Sequence, residues 1–136
     1  MTYMEAGPPP KGTDYYPWWL DNLADDVTGE GGFMEGFAQG ADNVRTIVLA
    51  ARGVYEFQKF SHTGDFGENG FIEIYNSAVR GKPLGVVVTV TRNAAGQCQH
   101  LVVNHRPRSS LLLFSRLMYE HFADTPLSHL FLAEPV

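Results

Sequence analysis

The chain has a single cysteine, Cys98. No intramolecular disulfide can form, which excludes a covalently stapled scaffold and makes a reducing compartment the expectation. Basic residues are also scarce, ten against fifteen acidic ones, for a net charge of −5. They are scattered, whereas nucleic-acid binding needs clustered Lys and Arg, so no nucleic-acid partner is expected. Long apolar runs are missing too. The longest, 47–51, and the shorter 86–88 and 111–114, fall far short of the ~20 residues that span a bilayer. Residues 1–11 carry Gly7 and Pro8 to Pro10 and no apolar stretch, so they make no secretory signal. The expectation is a soluble cytoplasmic protein with no membrane partner.

Several motifs are absent as well. The glycines at 29, 31, 32, 36 and 40 do not satisfy G-x-G-x-x-G, and no Lys-Ser/Thr follows them to make a phosphate loop. Ser-His-Asp and Cys-His arrangements do not rise above chance. His100 and His105 are five residues apart, hence on opposite faces of one strand, which argues against a two-histidine metal site. No metal and no cofactor is expected. Internal repeats are not visible.

What is present is a chain of 136 residues, 44% hydrophobic and 12% aromatic, enough for one domain with a real core. Three consecutive prolines make 1–13 an extended leader. The domain is expected over 14–125 and a short tail over 126–136. A first helix is predicted over 15–24, with Pro17 in its first turn and Tyr16, Trp19, Leu20 and Leu23 on one face. A second over 41–52 carries the stripe Val44, Ile47, Val48, Ala51, has Asp42 at its start and stops at Arg52-Gly53. Two-residue alternation then predicts strands over 54–60, 71–79, 84–90 and 98–104. Turns are expected at 80–83 and 93–96, and a rim loop at 63–69. Pro107 introduces a last helix near 108–122, whose apolar residues cover most of its circumference. Such a helix should pack on the sheet and also against something else, such as a second subunit. Two helices, antiparallel strands and a terminal helix make an α+β fold with a curved sheet.

Within this order, Leu23-Ala24-Asp25-Asp26, then Gly40 with Val44-Arg45, then Asn93-Ala94-Ala95-Gly96 before the last strand resemble the nuclear transport factor 2-like superfamily, in its polyketide-cyclase-like and steroid-isomerase-like branch. The resemblance covers about 15 to 105. It implies a cone of curved antiparallel sheet around helices, the cystatin-like α+β cone, with an apolar pocket inside and dimers formed through the outer sheet face. It also places the isomerase chemistry. The enolising base falls on Gly31, the oxyanion-stabilising carboxylic acid on Val88, and the partner tyrosine on the stretch 7–10. None of these can act in that way, since glycine, for one, carries no proton acceptor. The cyclases' histidine-aspartate pair belongs to the last strand, which here holds no carboxylate.

Other residues remain as candidates. Leu101, Val103 and His105 share one face of their strand and should look inward. His105 then either brings an imidazole to the pocket mouth for proton transfer or ends the strand against the terminal helix. Tyr75 is in phase with Phe71 and Glu73. If that face is inward, Tyr75 donates to a ligand carbonyl and Glu73 is a buried carboxyl of raised pKa; if outward, they lie on a dimer face and in solvent. Glu30 and Glu35 flank Gly31 and could supply a shifted base. His62 borders the rim loop and is open to either reading. Trp18, Trp19, Phe33 and Phe37 are expected to wall the pocket or its entrance. The expectation is a homodimer binding a small apolar or aromatic molecule at Trp19, Phe33, Glu35, Val88, Leu101 and Val103. Its alternatives are a cyclase-, isomerase- or dehydratase-like enzyme using His105 and Tyr75, and a dimeric assembly module without ligand.

Overall fold

The computed structural model describes residues 15–132. The leader over 1–13, with the stretch 7–10 inside it, lies outside these residues, as do 133–136. The order of elements is a 3-10 turn at Trp18–Asp21, strand β1 (Leu23–Gly31), short strand β2 (Ala38–Gln39), helix α1 (Ala41–Val54), strands β3 (Lys59–Phe66), β4 (Gly70–Val79), β5 (Lys82–Arg92) and β6 (Cys98–Arg106), and helix α2 (Arg108–Phe122), then a last 3-10 turn at Ser128–Leu130. The six strands form one curved sheet in the order β2-β1-β6-β5-β4-β3. Only β1 and β6 pair parallel; the remaining pairs are antiparallel hairpins or short returns.

The concave face is made by alternation along the long strands. Leu84, Val86, Val88 and Val90 of β5 are buried there, and the intervening Val87 and Thr89 are half-buried on the other side. Across this face lies α1, with Val44, Ile47 and Ala51 buried. Gly40 precedes the helix at a φ of 95°, a backbone state that side-chain-bearing residues rarely adopt. Helix α2 packs against β6, β5 and α1, burying Ser110, Phe114, Met118 and Phe122, and the Ser110 hydroxyl donates to the Pro83 carbonyl at 2.5 Å. Leu130 and Phe131 are also buried, with the Phe131 ring stacked on Phe122 at 5.0 Å. The packed body therefore extends past residue 125. Leu111, Leu113 and Leu117 stay half-buried on α2, and Leu112 is exposed.

Three elements differ from the sequence expectation. Residues 15–24 do not make a helix. Pro17 is extended, the turn it opens lasts four residues, and the Asn22 side chain donates to the Trp18 carbonyl at 2.6 Å, after which β1 begins. Asp25 and Asp26 thus lie in a strand, in the irregular stretch where its register with β6 jumps between Leu23 and Thr28. Helix α1 does not stop at Arg52-Gly53; it runs to Val54, and the Tyr55 amide donates back to the Ala51 carbonyl. The strand expected over 54–60 therefore begins only at Lys59. Finally, Thr63 to Phe66 pair along β4 rather than forming a rim loop. Only 67–69 turn, with Gly67 at a φ of 63°.

Candidate functional site

A cavity lies between α1, the first turn and the concave sheet face. Strand β4 turns Glu73, Tyr75 and Ser77 inward, each no more than 3% exposed, which fixes the phase that alternation alone leaves open. Val88 of β5, Leu101 and Val103 of β6 and Gly29 of β1 form the floor, and Val44, Ile47 and Ala51 of α1 form the opposite wall. The space has a volume of about 50 Å³, enough for roughly three or four water molecules.

Its polar groups gather at one end. The Glu73 carboxyl is 2% exposed. Its Oε2 accepts from the Tyr15 hydroxyl at 2.5 Å and from Trp19 Nε1 at 3.2 Å. Burial pushes the pKa of this carboxyl up, and the two hydrogen bonds pull it part of the way back. Among the described residues, both bonds end on Oε2. Two residues along, burial raises the Tyr75 hydroxyl above its ordinary range, while hydrogen bonds from Tyr55 and Gln58 act in the opposite direction. Gln58 also lines the cavity, and its Oε1 is buried without a partner among the described residues. A buried acceptor left unpaired is costly, so a donor from water or a ligand would be favoured there.

His105 is inside the domain but does not line the cavity. Its Nε2 lies 2.7 Å from the hydroxyl of Tyr55, which does. Phe114 and Phe33 pack against its ring at 4.3 and 5.4 Å. Burial drives its pKa down to about 3, so the imidazole is neutral at physiological pH. Nδ1 has no partner. An unpaired acceptor costs less here than an unpaired N–H, which favours the proton on Nε2, donated to Tyr55. Proton transfer from His105 to a bound molecule would have to pass through Tyr55.

The other candidate residues separate clearly. Trp19, Phe33, Tyr75, Val88, Leu101 and Val103 border the cavity. Glu35 does not: it is exposed, and its amide donates to the Leu130 carbonyl at 2.7 Å. The polypeptide is looping towards the last 3-10 turn at that point, which carries the side chain outward. Phe37 is 56% exposed, and Trp18 packs edge-on against Phe71. His62 is exposed on β3. Glu30 borders the cavity, yet its carboxylate lies 3.0 Å from Nε2 of His100, whose Nδ1 is 2.6 Å from the Thr28 hydroxyl. Cys98 is fully buried, and its thiol is pushed up to about 12 by burial, so it is not a nucleophile at neutral pH. Among the described residues, no group of three or more His, Cys, Asp or Glu is placed to hold a metal ion.

Gly31 has a structural reason to be glycine. A Cβ there would lie 2.1 Å from the Val103 carbonyl oxygen, inside the parallel pairing of β1 with β6. No side chain fits that slot in this backbone. At Gly29, by contrast, a Cβ would meet only Val44 and Leu101 carbons at 3.5 to 3.9 Å.

Tyr15, Arg52, Tyr55 and Gln58 also line the cavity and were not among the sequence candidates. Tyr55 could have been found by continuing the stripe Val44, Ile47, Ala51 by one more turn, through Gly53. Tyr15 lies in an extended segment without periodicity, and nothing in the sequence marks it.

No protein-family model matches the chain, and no curated protein matches it in sequence. Solved structures do. A steroid delta-isomerase from Pseudomonas aeruginosa superposes with a TM-score of 0.72 at 17% identity, covering 76% of this chain and 77% of that one. An uncharacterized protein with a cystatin-like fold from Silicibacter pomeroyi also gives 0.72, at 18% identity over 77% and 74%. A SnoaL-like family protein from Agrobacterium tumefaciens gives 0.52 at 15% identity over 64% and 76%. At these identities the likeness is one of fold. The fold is that of the nuclear transport factor 2-like superfamily, an α+β cystatin-like cone. No helix among the described residues is long and apolar enough to cross a membrane.

Proposed function

We propose that this chain binds a small organic molecule with an apolar body and one polar end. The body lies against Val44, Ile47, Val88 and Leu101, and the polar end meets Glu73 and Tyr75. The observation that carries this reading is a buried carboxyl in the wall of a largely apolar cavity whose polar groups gather at one end, with the bonds from Tyr15 and Trp19 both on one oxygen. Few, convergent polar groups in an apolar concavity are the usual form of a small-molecule site. The test is calorimetric titration with single-ring aromatic fragments, on the natural chain and on Val88→Trp, which fills the floor. Binding that Val88→Trp removes supports the reading, and binding that the variant keeps refutes it.

A second reading is favoured by the upward shift of Glu73 beside Tyr75. A carboxylate of raised pKa is the stronger base and can take a proton from carbon next to a carbonyl, becoming the carboxylic acid, while a tyrosine donates to the carbonyl oxygen. The fold neighbours include a steroid delta-isomerase, but this arrangement uses different positions from those the resemblance assigns. His105 then serves as the remote support of Tyr75 through Tyr55. Deuterium exchange at the α-carbon of a bound ketone, lost in Glu73→Gln while binding persists, is the outcome this reading requires.

We further propose a second copy as the partner of the outer sheet face, where Ile72, Ile74, Val87 and Val102 are half-buried and alternate with core positions. One buried thiol and no possible disulfide are in keeping with a cytoplasmic setting.

A further inference from the structure

The cavity as it stands is too small for the ligand just proposed. Its volume of about 50 Å³ is roughly a third of the ~150 Å³ that accommodates one benzene ring in a protein interior. Something in the wall has to move before even a single ring enters.

Tyr15 is the wall group built to do so. It precedes the first turn, in a segment with no regular structure, and is half-buried. Its ring lies on Phe60, with centroids 4.4 Å apart, and its hydroxyl donates to Glu73 Oε2. The backbone at this point is anchored independently of the ring. Arg52 Nη2 donates to the Tyr15 carbonyl at 2.5 Å, and its guanidinium lies over the Tyr16 ring at 5.2 Å. Arg45 holds the Tyr16 hydroxyl at 2.9 Å and the Leu20 carbonyl at 3.0 Å. The Tyr15 side chain can therefore rotate out while the strand of chain beneath it stays in place. The space it leaves is one phenol wide, continuous with the apolar cavity, flanked by Phe60, Trp19 and Tyr75, and ends on a carboxyl oxygen.

Resting on the binding reading above, we infer that Tyr15 is a built-in occupant of the ligand's polar subsite, and that the ligand it stands in for is an aromatic alcohol. The ligand's hydroxyl takes the place of the tyrosine hydroxyl on Glu73, and its ring system runs on into the cavity past Tyr75. The aromatic flanks favour a flat ring over an aliphatic alcohol. Trp19 Nε1 keeps its bond to Glu73 throughout, so the carboxylate is not left unpaired during the exchange. The closed state reduces the apparent affinity to the intrinsic affinity multiplied by the fraction of molecules left open.

The experiment is calorimetric titration of 2-naphthol, and of its methyl ether, into the natural chain, Tyr15→Phe and Tyr15→Ala, each first checked for a cooperative thermal transition. The expected result is that 2-naphthol binds Tyr15→Ala roughly tenfold or more tightly than the natural chain, since neither the tyrosine ring nor its hydrogen bond to Glu73 competes any longer. Tyr15→Phe, which keeps the ring and loses only the bond to Glu73, binds more tightly than the natural chain as well. The ether, which has no donor, binds more weakly than 2-naphthol throughout. Unchanged or weaker binding in Tyr15→Phe overturns the inference and leaves the cavity reading standing, as does an ether that binds as well as the alcohol. If Tyr15→Ala does not fold, Tyr15→Phe decides the matter alone. Absence of binding in every variant overturns both the inference and the binding reading beneath it.

Discussion

The Tyr55 hydroxyl and Nε2 of His105 lie 2.7 Å apart, joining the C-terminal end of α1 to β6 behind the cavity wall. The contact places the histidine one residue removed from any bound molecule. It also buries an ionisable ring between Phe33 and Phe114 with one nitrogen unpaired. The role it supports is structural tuning of Tyr55 and, through it, of Tyr75.

His105 should make the fold acid-sensitive. Its pKa is about 3 in the folded chain against an ordinary 6.5. A depressed pKa gives stability that is fully present above 6.5 and is lost as pH falls towards 3. The loss amounts to about 1.4 kcal/mol for each pH unit within that window. In urea unfolding from pH 7 to pH 4, His105→Gln should lose markedly less stability than the natural chain. Parallel pH profiles would show that the ring is not buried in its neutral form.

Glu73 should act in the opposite direction. Its folded pKa lies above the ordinary 4.5 because burial outweighs the bonds from Tyr15 and Trp19. The stability associated with it is present below 4.5 and is lost as pH rises through the folded value. Glu73→Gln removes that titration and can still accept from both donors. Its stability relative to the natural chain should therefore rise with pH above 4.5, as measured by chemical denaturation. A difference that stays flat with pH would contradict the burial argument.

The two glycines of β1 should tolerate a methyl group very differently. Gly31→Ala forces a Cβ to 2.1 Å from the Val103 carbonyl and should cost about 3 kcal/mol or more, with loss of β1–β6 pairing. Gly29→Ala meets only ordinary carbon contacts and should change stability by less than about 1 kcal/mol while narrowing the cavity. Thermal melts of both variants make the comparison. Equal melting temperatures would mean that the two strands do not approach as closely as described.

Self-association should depend on the outer sheet face. Ile74→Arg places a charge in the middle of the stripe formed by Ile72, Val87 and Val102, and is expected to shift the chain from dimer to monomer at micromolar concentration. Light scattering on both forms reads this directly. A natural chain that is already monomeric, or an Ile74→Arg dimer, would remove the proposal.

The sequence carries the fold further than it carries the site, for physical reasons visible at particular residues. Strands β4 to β6 and both helices are legible because one face of each is buried and its period of 2 or 3.6 shows. The first segment is not: Trp19, Leu20 and Leu23 mimic a helical stripe, and only the early stop after Pro17 and the pairing of β1 with β6 decide otherwise. The inward phase of Tyr75 and Glu73 is invisible in the chain, since Ile72 and Ile74 alternate with them as apolar residues of equal merit. Glu35 illustrates the reverse, an acidic residue near the expected site that the loop turns away. Tyr15 reaches Glu73 across 58 residues of sequence, and no local pattern encodes such a contact.

The proposed binding of an aromatic molecule in the space beneath α1 can be read at individual side chains. Methyl NMR on the natural chain tests it most directly, with 2-naphthol added to protein labelled at Ile and Val. Val44, Ile47, Val88 and Val103 are expected to shift together and saturate with one affinity, while Ile72 and Ile74 on the outer face do not move. Shifts confined to Ile72 and Ile74, or no shifts at any of these methyls, would contradict it.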